Sequence, residues 1–318
     1  MQTNPLGTTD LIVSRLGFGC GSMGGLLVRG EYPAMRQAIA RAIELGITYF
    51  DTASIYGNGQ SEVNLGAIVR ELDAKPEIVI GSKVRITRPE QLDDLRQSVV
   101  DSVEASLRRM GREQIDLIQF HNRIGPQRDL DQSQVAVSDL GEIFAAFDLL
   151  KRQGKVRYWG ITGLGETHAI QTVVNSGGFH SSQICYNMLN PSAGQPVPDD
   201  FPYQNYDQLI DRCAANGIGT IVIRMLAGGA LSGVTERHPV ASKSVNPIGS
   251  EETYVEDVER VQSFKSLVDE GHVENLVEAA IRFVLGKPEV STALVGISTL
   301  EQLEMAVHYA AKGPLSLA

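Results

Sequence analysis

The apolar positions of this chain fall into two alternating patterns. Short unbroken runs rich in Val, Ile, Leu, Phe or Tyr stand at 16–19, 47–51, 78–83, 115–121, 156–162, 182–187, 219–225 and 292–297. Runs this short, without polar alternation, predict strands buried on both faces, as in a parallel sheet. Between them the apolar residues recur at helical spacing over 33–45, 61–72, 89–110, 140–153, 166–175, 206–216, 275–285 and 300–311. Most of these stretches end at or near a glycine, among them Gly46, Gly111, Gly154, Gly217 and Gly286, which supplies a ready helix stop. Ser61 reads as a cap opening the second stretch, and Pro76 as a stop beyond it.

Strict strand–helix alternation implies a parallel sheet, and eight such units in 318 residues predict an α/β protein of the (β/α)8 TIM-barrel class, one domain over 1–318. An open dinucleotide-binding sheet fits less well. The glycine-rich stretch from Gly17 to Gly21 does not open a helix with G-x-G-x-x-G spacing. Ahead of the first strand, residues 6–14 predict a small β-hairpin turning at 7–10, expected to plug the bottom of the barrel. Two segments break the rhythm, 189–205 and 227–272, the latter with a helix near 252–268. Both follow strands, so both fall on the C-terminal face, where barrels build their sites.

Composition narrows the function. A hydrophobic fraction of 42% is that of a globular chain with a sizeable core. A formal charge of −10 opposes binding to nucleic acid or anionic membrane, because the electrostatic term has the wrong sign. Cys20, Cys185 and Cys213 have no disulfide or zinc spacing. The first residues carry no secretory pattern and no apolar run reaches spanning length, so a cytoplasmic protein is expected. These patterns do not set the oligomeric state.

Polar titratable residues cluster at consecutive strand ends. Asp51 closes the second strand and Tyr56 follows it; Lys83 closes the third and His121 the fourth. Taken singly, each has an ordinary structural explanation. Together on one rim they make a catalytic set. A free tyrosine holds its proton too tightly for exchange at neutral pH, and a nearby ammonium should lower its pKa. A carboxylate offsets the burial of that ammonium, and an imidazole can orient a carbonyl oxygen. Such a group suits carbonyl reduction, with hydride arriving at carbon and a proton at oxygen.

The motifs carrying these residues are Phe50-Asp51-Thr52-Ala53 with Tyr56-Gly57, Ser61-Glu62, Leu65-Gly66, Ser82-Lys83-Val84, Asp116 to His121, and Leu150 to Arg157. Their order and spacing resemble the aldo-keto reductase superfamily, from Leu6 to about Tyr309, with the bacterial reductase and sugar dehydrogenase branch as the nearer likeness. The resemblance implies Tyr56 as general acid/base, Lys83 and Asp51 as its tuning pair, and His121 as the substrate-orienting residue. It further implies a nicotinamide beside Gly19, Cys20 and Asp51, with Thr162, Gly163 and Gln183 near its carboxamide. Leu226, Gly228 and Leu231 would wrap the pyrophosphate, and Ser298 and Gln302 would meet the adenosine end.

Several positions depart from that likeness. Gly163 stands where an asparagine is usual, Ile223 where an aromatic ring is usual, and Met305-Ala306 where Glu-Asn is usual. Arg224 has three readings: a contact to cofactor phosphates, a contact to a substrate anion, or a rim ion pair. No cation beside Ser298 marks a 2′-phosphate site; Arg237 is a remote candidate. Family habit favours NADP(H), with NAD(H) as the alternative, and no metal is required. The expected substrate is a small carbonyl compound or sugar, in a pocket walled by 23–29, 123–130, 188–203 and 227–254. Rival readings are a nicotinamide-binding sensor or channel-associated subunit with little turnover, and an aldolase using Lys83 as a Schiff-base amine.

Overall fold

The computed structural model describes residues 1–73 and 78–315; the expected stop at Pro76 lies outside the described residues. Eight parallel strands close into a barrel. In chain order they are β3 (Leu16–Gly19), β4 (Tyr49–Asp51), β5 (Val79–Val84), β6 (Ile115–Phe120), β9 (Val156–Thr162), β10 (Ser181–Cys185), β11 (Gly219–Ile223) and β12 (Thr292–Gly296). The ring runs β3-β4-β5-β6-β9-β10-β11-β12 and closes where β12 pairs with β3, so sequence neighbours are spatial neighbours. This is the (β/α)8 barrel that the alternating pattern predicts.

Helices wrap the ring: α2 (Tyr32–Glu44), α3 (Gln60–Glu71), α4 (Leu95–Met110), α5 (Leu140–Arg152), α6 (Thr167–Ser176), α7 (Leu209–Ala215), α10 (Leu276–Leu285) and α11 (Leu300–Ala311). Each turns apolar residues onto the strands, as Val99 and Val103 of α4 and Ile143 and Phe147 of α5 do in the main core. One expected helix is divided. The stretch 89–110 becomes a short 3-10 turn, Pro89–Leu92, followed by α4, because Asp94 leaves the helical backbone and accepts from the Gln97 N–H at 2.9 Å. The helix expected near 252–268 forms as one helical run, α8 (Tyr254–Val261) continuing through a 3-10 turn at Gln262–Phe264 into α9 (Ser266–Asp269). The segment 206–216 helices only over α7.

Buried charges stitch the strands where the motifs stand. The Asp116 carboxylate on β6 accepts from the Ile80 N–H of β5 at 3.0 Å and from Arg157 of β9 at 3.0 Å. Glu62 of α3, fully buried, accepts from Ser82 beside Lys83 and from Arg109 of α4. Ser61 Oγ donates to the Cys20 carbonyl at 2.8 Å. Much of the signature is therefore scaffold that fixes the register of β5 against its neighbours.

The bottom is closed as expected. β1 (Thr3–Pro5) and β2 (Ile12–Ser14) form an antiparallel hairpin. Leu6, Leu11 and Val13 pack against Tyr49, Val79, Leu117 and Ile221 at the base of the barrel. The hairpin turn needs Gly7: its φ is +57°, and a β-carbon there would sit 2.3 Å from the Gly219 nitrogen. Leu6→Ala should therefore cost about 2–5 kcal/mol, the usual result of truncating a buried leucine. Urea unfolding checks this, and an unchanged midpoint would mean that the hairpin is ornament.

Candidate active site

At the C-terminal mouth of the barrel, Asp51 ends β4 and Lys83 is the penultimate residue of β5. Both are almost fully buried, and the Lys83 ammonium pairs directly with Asp51 Oδ1. The second carboxylate oxygen accepts from Gln183 Nε2 of β10 at 2.6 Å and from the Tyr49 hydroxyl at 3.1 Å. Lys83 also donates to the Thr52 carbonyl at 2.7 Å. Asp51 is thus held from three strands, and it anchors Lys83 with its charge 4.8 Å from the centre of the Tyr56 ring. The His121 ring meets Tyr56 edge-on at 6.2 Å. All four residues expected to share a site come together.

The electrostatics differ from the expectation in one respect. Burial raises the Tyr56 phenol above the ordinary tyrosine value; the Lys83 ammonium pulls it down, as foreseen, but does not overcome burial. The phenol is therefore a protonated donor at neutral pH rather than a partly ionised one. Burial also pulls Lys83 down, but Asp51 and Tyr56 outweigh it and hold the ammonium above its ordinary value. A lysine so fixed as a cation is a poor Schiff-base nucleophile, which removes the support for an aldolase. Burial, then the charges of Lys83 and Arg85, drive His121 well below the ordinary histidine value. Its Nδ1 is buried without a partner, so the ring is neutral with a polar atom to offer.

The cluster opens into a cleft of about 510 Å³. Gly19, Gly21, Asp51, Tyr56, Arg85, His121, Gln183, Ile223 and Arg224 line its inner part. It runs past Met23, Gly24, Leu226, Gly228 and Gly229 to Ser298, Gln302, Met305 and Ala306. Three positions expected beside a nicotinamide do not face it. Cys20 alternates away from Gly19 and Gly21 and packs in the layer between strands and helices, its thiol toward the Phe18 carbonyl. Thr162 is fully buried, and its hydroxyl donates to the Phe120 and Asn122 carbonyls. Gly163 is also off the wall, and a β-carbon there would stand 3.0 Å from Ser182 Oγ. Leu231 is core against α8 and α10.

The wall loops need correction too. No residue of 123–130 or 188–203 lines the cleft among the described residues. The first instead contributes β7 (Arg123–Gly125), paired with β8 (Gln134–Ala136). The second is pinned by Asn190, whose side chain donates to the Gln204 and Gly249 carbonyls. Tyr186 stacks on Phe283 at 5.1 Å and Asn187 donates to the Arg224 carbonyl, so both are supports. Sequence reasoning missed Tyr49, Arg85, Ile55 and Leu164, whereas Ile248 lies in the expected 227–254 wall. Arg85 was the legible one: it stands two residues beyond Lys83, and strand periodicity turns it to the same side.

The outer cleft suits a dinucleotide. Gly21 leaves the Tyr56 ring bare: a β-carbon there would lie 3.3 Å from it. Gly228 and Gly229 hold positive φ of 69° and 112°, exposing backbone beside Arg237. Arg237 donates to the Gly228 carbonyl at 2.8 Å and reaches Met23, so it is not remote from the Gly24–Ser298 contact. It has no carboxylate partner among the described residues. Ser298 and Gln302 stand at the far end, linked by the Ser298 N–H donating to Gln302 Oε1 at 2.9 Å. Met305 and Ala306 add an apolar floor there.

An acid–base cluster at the foot of such a groove belongs to the class of barrel oxidoreductases. Sequence comparison makes the class specific: the chain belongs to the aldo/keto reductase family, whose family model matches residues 15–317. It is 27% identical over 311 residues to L-galactose dehydrogenase of Arabidopsis thaliana, covering 96% of this chain and 86% of that one. A protein of Schizosaccharomyces pombe named putative voltage-gated potassium channel subunit beta is 27% identical over 322 residues, covering 94% and 85%. The fold is similar to that of the aldo-keto reductase AKR11C1 from Bacillus halodurans in its holo form, at TM-score 0.69 and 24% identity over 99% of this chain and 93% of that one. The protein is an oxidoreductase that acts between a nicotinamide cofactor and a carbonyl compound. Among the described residues no helix is long and apolar enough to cross a membrane.

A neutral His121 has a direct test. Its Cε1 resonance should show no titration step near 6.5, moving only at clearly lower pH. The unfolded chain takes up that proton first, so this residue makes stability fall as pH drops below 6.5 toward the folded value. A step at 6.5 in the folded protein would mean that the ring is solvated.

Proposed function

We propose that this chain interconverts aldehydes, ketones or sugar carbonyls with their alcohols, with Tyr56 as the proton donor. What carries the reading is one juxtaposition: a half-buried phenol facing the cleft, with the Lys83 ammonium 4.8 Å from its ring and His121 at 6.2 Å. A bound reduced nicotinamide supplies hydride to the carbonyl carbon. Tyr56 gives its proton to the carbonyl oxygen, and Lys83 stabilises the phenolate left behind. Asp51 keeps Lys83 charged and in position. His121, neutral, orients the oxygen. Gly19, Asp51, Gln183 and Ile223, which line the inner cleft, would hold the nicotinamide. Leu226, Gly228 and Arg237 would hold the pyrophosphate, and Ser298 and Gln302 the adenosine end.

NADP(H) is the favoured cofactor, with NAD(H) as the alternative. Arg237, which donates to the Gly228 and Met23 carbonyls in the outer cleft, is the cation that would favour the phosphorylated form. A cytoplasmic location accords with Cys20, Cys185 and Cys213 all being buried free thiols. The name of the L-galactose dehydrogenase relative supports a sugar among the substrates. The name of the channel-subunit relative supports the sensor reading, and turnover separates the two.

A fluorescence titration with NADPH and NADH, followed by an aldehyde and sugar panel, tests this reading. Tyr56→Phe should lower turnover by about 10²–10⁴-fold, the range for losing a positioned proton donor. Cofactor affinity should stay within a few-fold of wild type. A variant with wild-type turnover overturns the role of Tyr56; a wild type that binds nicotinamide without turning over any carbonyl favours the sensor.

A further inference from the structure

The inner cleft carries more positive charge than hydride transfer to a neutral carbonyl requires. Arg85 and Arg224 both line it, on opposite sides of the barrel mouth, one just past β5 and the other just past β11. Among the described residues neither forms an ion pair with a carboxylate, whereas most other arginines of the chain do. Among the described residues the buried Arg85 Nε has no partner. Arg224 makes one side-chain hydrogen bond, from Nη1 to the Asn246 carbonyl at 3.2 Å.

Nearby acids are committed elsewhere. Asp51 belongs to Lys83. The buried Asp257 accepts from Ser250 Oγ at 2.9 Å and the Glu251 N–H at 3.1 Å. Glu236 is exposed at the outer rim. Burial lowers the pKa of both guanidinium groups, which reports partly desolvated cations left short of counter-charge.

Both arginines are held in place by backbone contacts. Ile86, next to Arg85, exchanges two 2.8 Å hydrogen bonds with the Asn122 side chain, next to His121. That clamp sets Arg85 beside the residue that faces the carbonyl. Arg224 adopts φ +59°, a left-handed backbone costly for a residue with a β-carbon, and the Asn187 side chain holds its carbonyl at 2.9 Å. Guanidinium groups fixed in this way recognise oxyanions through paired N–H donors. Ile55, Leu164 and Ile248 supply apolar wall between them for a short carbon skeleton.

We propose that Arg85 and Arg224 form an anion site in the substrate half of the cleft, so that the preferred substrate is a small carbonyl compound bearing a carboxylate or phosphate. This rests on the reductase reading above but adds a charge requirement to it. Arg237, at the glycine-rich outer cleft, is left to the cofactor phosphates.

The test compares matched pairs in steady-state reduction: 4-carboxybenzaldehyde against benzaldehyde, 4-oxobutanoate against butanal, and glyceraldehyde 3-phosphate against glyceraldehyde. At least one anionic member should exceed its neutral partner in kcat/KM by about 10- to 100-fold, the worth of one or two hydrogen bonds to a charged group. Which pair shows the larger ratio separates carboxylate from phosphate. In Arg85→Gln and Arg224→Gln that ratio should collapse toward unity, with Arg85→Lys retaining part of it. Equal or better use of every neutral partner by the wild type overturns the proposal. So does a variant whose only loss is weaker NADPH binding with the ratio intact.

A calorimetric titration keeps the proposal separate from the reductase reading. Wild type should bind benzoate at least tenfold more tightly than benzamide, and Arg85→Gln should lose the difference. That result upholds the anion site even if no carbonyl is reduced, and no preference for benzoate refutes it whatever the turnover.

Discussion

The ion pair of Asp51 and Lys83 is the constraint around which this molecule is arranged. Removing two charges from water costs several kcal/mol per ion, and their mutual attraction offsets that only when the remaining donors and acceptors are satisfied. Here they are: Asp51 takes Lys83, Gln183 and Tyr49, and Lys83 adds the Thr52 carbonyl. Those partners come from β4, β5, β10 and the residue after β4. Only a closed ring with the observed strand order brings them together. The barrel is thus the condition for the ion pair, and the ion pair fixes a positive charge against the ring of Tyr56.

From that charge the rest of the cleft follows. Burial raises the Tyr56 phenol above its ordinary value, and Lys83 limits that rise. Burial first, then the same cation and Arg85, keep His121 neutral. One buried ammonium therefore acts on two neighbours, moderating the rise of the phenol and helping to keep the ring nitrogen uncharged. Further out the charges change purpose. Arg237 stands where glycines bare the backbone, Arg224 reaches the edge of the same Gly228 from just past β11, and Arg85 lines the cleft just past β5.

How much of this the sequence disclosed depended on the range of the interactions involved. The eight strands and the four clustered residues were legible because hydrophobic periodicity is local and strand ends in a parallel barrel share one rim. Helix stops at Gly111 and the turn at Gly7 were legible for the same reason, since each answers to its own φ. The misses were matters of side-chain direction and of contacts across the chain. Cys20 and Thr162 sit at the right heights but on the wrong parity, facing the helix layer and the neighbouring strand. The paths of 123–130 and 188–203 are set by the Asn122 and Asn190 side chains, which bond to segments no local pattern connects to them. The net pKa of Tyr56 was misjudged because desolvation, unlike the presence of a lysine, has no signature in sequence.

The most direct measurement is the titration of the Tyr56 phenol itself, followed by the Cζ resonance of labelled tyrosine in wild type and in Lys83→Met. The wild-type midpoint should lie above the ordinary tyrosine value, and loss of Lys83 should push it higher still. A midpoint that stays put or falls when Lys83 is removed would mean that the buried ammonium does not act on this phenol.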